Sequence, residues 1–125
     1  MTQPRRIELS KLIFGEITAL VAEHVAGIPV ELHVSRNGRG LVIEKETGKT
    51  CDSYATSADA VMPLLEKFAW RGAGNRCGST HASTVLVWGK DGREYMGQAD
   101  HTHGKNSFAL AACIALLRAH GFEVI

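Results

Sequence analysis

Apolar side chains at Leu9, Leu12, Ile13, Ile17, Leu20, Val21 and Val25 recur mostly three and four positions apart. That spacing places them on one stripe and predicts a first helix, widened by Phe14, Ala19 and Ala22. Ser10 is positioned as its N-cap. Gly15, inside the pattern, costs about 1 kcal/mol against Ala and allows close packing. Ala26-Gly27 followed by Pro29 is a stop signal, because Gly suits a left-handed C-cap and Pro follows it. The period then changes. Val30, Leu32 and Val34 alternate with Glu31, His33 and Ser35, Asn37-Gly38 is a hairpin turn signal, and residues 40–45 form a return strand ending at Thr47-Gly48.

Residues 49–56 read as a polar loop, and a second helix is expected from near Ser57, which can cap it. Val61, Leu64, Leu65 and Phe68 make its apolar face. Pro63 is tolerable if the helix begins at Asp59 or Ala60, so that the ring stays near the first turn. Residues 71–80 are rich in glycine and nearly free of large apolar groups, which predicts a loop. Val85–Trp88 and Glu94–Ala99, joined through Asp91-Gly92, predict a second hairpin. A last helix is expected from about Ser107 to His120, buried on nearly all sides with Arg118 facing out. Asn106 or Ser107 caps it and Gly121 ends it. Phe122–Ile125 is a short tail suited to an edge strand. The expected fold is α+β, an antiparallel sheet from two hairpins packed with three helices (α-β-β-α-β-β-α), in a single domain over 1–125.

Composition bounds the function classes. A net charge of +1, from 14 basic and 13 acidic residues, gives no bulk electrostatic case for nucleic acid or an anionic membrane. The short basic pairs Arg5-Arg6, Arg36 with Arg39, and Arg71 with Arg76 read as solvated surface. Three cysteines, Cys51, Cys77 and Cys113, form no disulfide framework and no CxxC. Cys113 lies within an apolar helical pattern, where a buried inert thiol is expected. With no signal peptide and no apolar run of membrane-spanning length, a cytoplasmic location is expected.

The opening Leu9-Ser-Lys-Leu12, Glu16-Ile17, Leu20-Val-Ala-Glu23 and Gly27-Ile-Pro29 resembles the start of small tailed-phage proteins of the NinX-like and phage alpha-beta-alpha sandwich families. Asp52-Ser-Tyr-Ala-Thr-Ser57-Ala-Asp-Ala60, followed by Pro63-Leu-Leu-Glu-Lys67, is similar to their central signature, and the Ala- and Leu-rich stretch after Asn106 to their closing helix. The glycine-rich 71–80 segment and the His-rich 101–103 turn depart from the pattern. The resemblance implies a compact α/β fold and a phage or prophage origin. It supplies no catalytic residues to carry over.

The chemistry-bearing cluster is Asp100-His101-Thr102-His103-Gly104-Lys105-Asn106, between a strand and a helix, where loop side chains and free helix N–H groups converge. A polar loop with Asn106 as cap is the plain reading. Asp100, His101 and His103, with His81 or Cys77, are the candidates for a metal, but their spacing matches no known metal signature, so no metal site and no cofactor are assigned. A small anionic ligand is the alternative, held by Arg76, Ser79, Thr80, Asp100, His101, His103, Lys105 and Asn106. Residues 72–80 fail the phosphate-loop pattern, having no Gly-Lys-Ser/Thr. Cys77 and His81 lack a third orienting group for nucleophilic catalysis. Trp70, Trp88 and Tyr95 more often fill a core than stack on bases. The leading expectation is a non-enzymatic phage or prophage accessory protein that binds a host or phage protein partner. A ligand- or nucleotide-sequestering domain, possible as a homo-oligomer, and a metal-dependent enzyme using His101 and His103 are the rivals.

Overall fold

The computed structural model describes residues 6–36, 40–77, 80–100 and 107–125, and the side chains of these except Ser10, 73–82 and Asp100. In chain order the elements are β1 (Arg6–Ile7), α1 (Phe14–Val21), β2 (Val30–Val34), β3 (Gly40–Glu44), α2 (Ala58–Leu65), β4 (Ala69–Cys77), β5 (Thr80–Trp88), β6 (Glu94–Asp100), α3 (Ser107–Ala119) and β7 (Glu123–Val124). The α+β class, the three helices and both expected hairpins are present. The strands form three groups: antiparallel β2-β3, antiparallel β4-β5-β6, and the parallel pair β1-β7.

The centre of the molecule is α3. Every residue from Ala109 to Leu117 is buried, because β5 and β6 pack on one side and α1 and α2 on the other. Its run of small residues permits this. Gly97 in β6 lies so close to the helix that a Cβ there would fall 2.6 Å from the Ala115 backbone nitrogen. The helix ends as predicted. Gly121 takes φ +92°, the Phe122 N–H donates to the Leu117 carbonyl (3.1 Å), and the Gly121 N–H donates to the Arg118 carbonyl (3.1 Å). This is the paired closure of a Schellman motif.

Several sequence expectations are corrected. The first helix does not begin near Ser10. Leu9–Lys11 is one 3-10 turn, Leu12 is extended, and α1 starts at Phe14 with Ile13 as N-cap. Tertiary contact overrides the helical stripe here, since the Leu9 N–H donates to the Ile125 carbonyl (2.9 Å). Glu16 then reaches back to accept from the Ile13 N–H (3.2 Å). The helix closes through a wide π turn, Ala22–Ala26, with Gly27 left-handed at φ +74°.

Ser57 does cap α2, accepting from the Ala60 N–H at 3.3 Å. The helix begins at Ala58, however, which leaves Pro63 in its interior. Of the expected 71–80 loop, residues 71–77 instead form most of β4 and Thr80 opens β5, with Ala69 opposite Trp88 and Cys77 opposite Thr80. Gly72 fits tightly in β4: a Cβ would fall 3.1 Å from both the Phe108 and Trp70 rings, so those rings would have to shift by a few tenths of an ångström. Arg118 does not simply face out. Its guanidinium donates to the Met96 carbonyl on β6 and, at 2.7 Å, to the Val124 carbonyl on β7. Asn37-Gly38 and Asn106 lie outside the described residues.

Candidate functional site

The first hairpin lies against α1 through two glycines. A Cβ on Gly15 would fall 2.9 Å from the Gly40 Cα, so the start of α1 and the start of β3 meet backbone to backbone. Residues 49–56 form the expected loop, and its Cys51, Tyr54 and Ala55 pack into the core. The Cys51 N–H donates to the Val42 carbonyl (2.8 Å), Ile43 bridges Thr50, and the Ala55 N–H donates to the buried Thr18 hydroxyl (3.2 Å). Ser57 closes the segment by donating its N–H to the Ser53 carbonyl (2.9 Å).

Between these three pieces lies an open cavity of about 520 Å³. Leu12, Ile13, Phe14, Leu41 and Val42 supply apolar wall, and Thr18, Thr50, Ser53 and Thr56 supply hydroxyls. Phe14 and Leu41 are 38% and 48% exposed, large apolar groups held partly in water at the site. Val34, paired with the cavity-lining Gly40 on the same hairpin, is 58% exposed. The size is within the range of small-molecule and side-chain pockets.

Among the described residues that line the cavity, none carries a carboxylate, imidazole, ammonium or guanidinium. Its one thiol, Cys51, has its pKa pushed up by burial and further by the nearby Glu44 and Asp52 carboxylates, against a weaker opposing backbone hydrogen bond. A thiol so placed is a poor nucleophile at neutral pH, because the reactive form is the thiolate. Tyr54, packed behind it, is pushed up to about 12, chiefly by burial. The described wall is thus mostly apolar, with hydroxyl-bearing residues interspersed. Burying an anion there would cost free energy that no cationic group among the described lining residues offsets.

The residues singled out from the sequence lie elsewhere. Arg76 is the penultimate residue of β4, opposite His81, Thr80 opens β5 opposite Cys77, and Asp100 ends β6 opposite Ala82. The register thus gathers the backbones of Arg76, Thr80 and Asp100 at one end of the three-stranded sheet. Ser79, His101, His103, Lys105 and Asn106 lie outside the described residues. Among the described residues no group of three His, Cys, Asp or Glu side chains comes together in a metal-binding arrangement. Cys113 is buried within α3 as expected, and burial alone pushes its thiol pKa up. The sequence reading missed Phe14, Leu41 and Thr18 as cavity residues. The available signal was the pair of glycines, Gly15 and Gly40, at element starts, but one sequence does not say that they meet.

No family model matches the chain, and no curated protein matches it. Its fold is similar to that of a phage protein from Bacillus cereus ATCC 14579, solved as a 2.0 Å crystal structure. The TM-score is 0.58 at 13% sequence identity, over 91% of this chain and 93% of that one. At that identity the likeness is one of fold. Among the described residues no helix is long and apolar enough to cross a membrane.

Proposed function

We propose that this chain is a phage or prophage accessory protein that acts as a non-enzymatic binding module, seating an apolar side chain of a protein partner in the cavity between α1, β3 and residues 50–56. The observation that carries this reading is a wall free of charged groups among the described residues, with Phe14 and Leu41 exposed in it. Interface hot spots are commonly apolar anchors in such pockets. The phage origin is supported by the resemblance of residues 9–29 and 52–67 to NinX-like and phage alpha-beta-alpha sandwich proteins, and by the shared fold with the Bacillus cereus phage protein. A partner found in the host cytoplasm fits this reading.

A binary assay tests it. Partners captured from host and phage lysates are identified and purified, then titrated against the wild type and against Phe14→Lys and Leu41→Lys. Both sites are exposed, so the fold should be kept. Each variant is expected to weaken binding by about tenfold or more, the equivalent of at least about 1.4 kcal/mol. Unchanged affinity in both variants would reject the cavity as the contact. Thermal shift with nucleotides, and metal analysis of untagged protein, address the rival sites at Arg76, Thr80, Asp100 and His101–His103.

A further inference from the structure

The three-stranded sheet has a second face that no element covers among the described residues. Strand alternation assigns it. Val85, Val87, Gly97 and Ala99 point toward α3, so Leu86, Trp88, Met96 and Gln98 point away. Register places Arg71, Leu86 and Met96 in one cross-strand row and Ala69, Trp88 and Glu94 in the next. Leu86 and Trp88 are half-buried and Met96 is 43% exposed, so a contiguous apolar stripe runs across the centre of this face. Its flanks are charged oppositely: Arg71 on β4 and Glu94 on β6, both exposed and neither with an ion-pair partner among the described residues.

We propose that a second copy of this chain covers that face, packed sheet to sheet about a two-fold axis running along β5. Such an axis lays β4 of one copy over β6 of the other. Each Arg71 then meets the Glu94 of the opposite copy, and the Leu86 and Trp88 side chains of the two copies meet along the axis. An axis across the strands would instead lay β4 over β4 and β6 over β6, bringing Arg71 toward Arg71 and Glu94 toward Glu94, which like-charge repulsion opposes. Packed sheets stand about 10 Å apart, and neighbouring rows lie about 7 Å apart along a strand, distances that an Arg side chain and a Glu side chain together span. Three strands of this length present a footprint on the order of 400 Å² per copy, about half that of a standard stable interface, so the dimer should dissociate on dilution.

Sedimentation velocity from about 10 µM to about 1 mM tests this, with circular dichroism to confirm that each variant is folded. The weight-average mass should rise from 13.5 kDa toward twice that value. Met96→Lys should remain monomeric throughout. Arg71→Glu and Glu94→Arg should each weaken association about tenfold, and the double swap Arg71→Glu/Glu94→Arg should restore it to within about threefold of wild type. A wild type that stays monomeric over the whole range, or a dimer that Met96→Lys and both single charge variants leave intact, would overturn the proposal. Neither result bears on the cavity, which lies on a different part of the molecule.

Discussion

Gly97→Ala adds one methyl group where the structure has no room for it. The new Cβ would lie well inside contact distance of the Ala111 carbonyl oxygen, 2.6 Å from the Ala115 nitrogen and 3.0 Å from the Ala111 carbonyl carbon. All three atoms belong to the backbone of α3, so no side-chain rotation relieves the clash. Either α3 or β6 must move by on the order of 1 Å, within a core that is close-packed on both sides. Overpacking typically costs about 1–3 kcal/mol, and a backbone-on-backbone clash is at the upper end, so we expect about 3 kcal/mol or more. The urea midpoint should fall by about 1.5 M at an m-value near 2 kcal/mol/M, and Tm by about 12 °C. Gly27→Ala is the control. Its φ of +74° is strained for Ala, but nothing lies within 4 Å of the added Cβ, and it should cost only about 1 kcal/mol. Trimming the helix with Ala115→Gly should fail to rescue Gly97→Ala, because the atoms struck are not side-chain atoms. A Gly97→Ala variant within about 0.5 kcal/mol of wild type would refute the close approach of β6 to α3.

Other outcomes follow from the same contacts. Arg118→Met removes the guanidinium bridge from Met96 to Val124 and should cost about 1–2 kcal/mol by urea denaturation, with faster amide exchange at Ile125, whose N–H pairs with the Ile7 carbonyl. Ser57→Ala should cost about 1 kcal/mol through the lost cap of α2, while Ser57→Asp should not, again by urea denaturation. Tyr54, Cys51 and Cys113 all have folded-state pKa values raised above their unfolded ones, so the folded state holds more protons at alkaline pH. Their stabilising contribution is complete below about pH 9 and is lost as pH rises through the folded values, that of Tyr54 near 12. Urea midpoints should fall steadily above pH 9, and less steeply in Tyr54→Phe. Tyr95→Phe removes the 2.6 Å hydrogen bond that holds Asp91 below its ordinary carboxylate range, so the Asp91 titration followed by carbon NMR should move upward.

The parts of the fold that could be read from sequence are those whose signal is local and periodic. Phe108–Leu117 announced a buried helix, Gly121 its end, and Val30–Val34 and Val85–Trp88 their hairpins. Ser57 was legible as a cap because its chemistry acts within three residues. What failed depends on distant partners. Gly72 and Gly74 argue against a strand by propensity, yet β4 forms because β5 offers a full ladder and Phe108 occupies the space a side chain would need. Leu9 and Leu12 continue the helical stripe, but the chain there is held by Ile125, more than a hundred residues away. The β1-β7 pair is two residues long and joins the chain ends, too short for any periodicity to show. Trp88, expected in the core, is only half-buried because it stands on the side of its sheet that faces away from α3. The cavity was invisible for the same reason as β4: it exists only where Gly15, Gly40 and residues 50–56 come together.

The central claim is that the cavity between α1, β3 and residues 50–56 receives an uncharged apolar group. Titration of isotope-labelled protein with N-acetyltryptophanamide, followed by amide chemical shifts, tests it directly. The account predicts saturable shifts at Gly15, Thr18, Val42, Cys51 and Ser53 that Leu41→Lys abolishes. No saturable shift at those amides up to about 10 mM, or shifts confined to the sheet end at Arg76, Thr80 and Asp100, would contradict it.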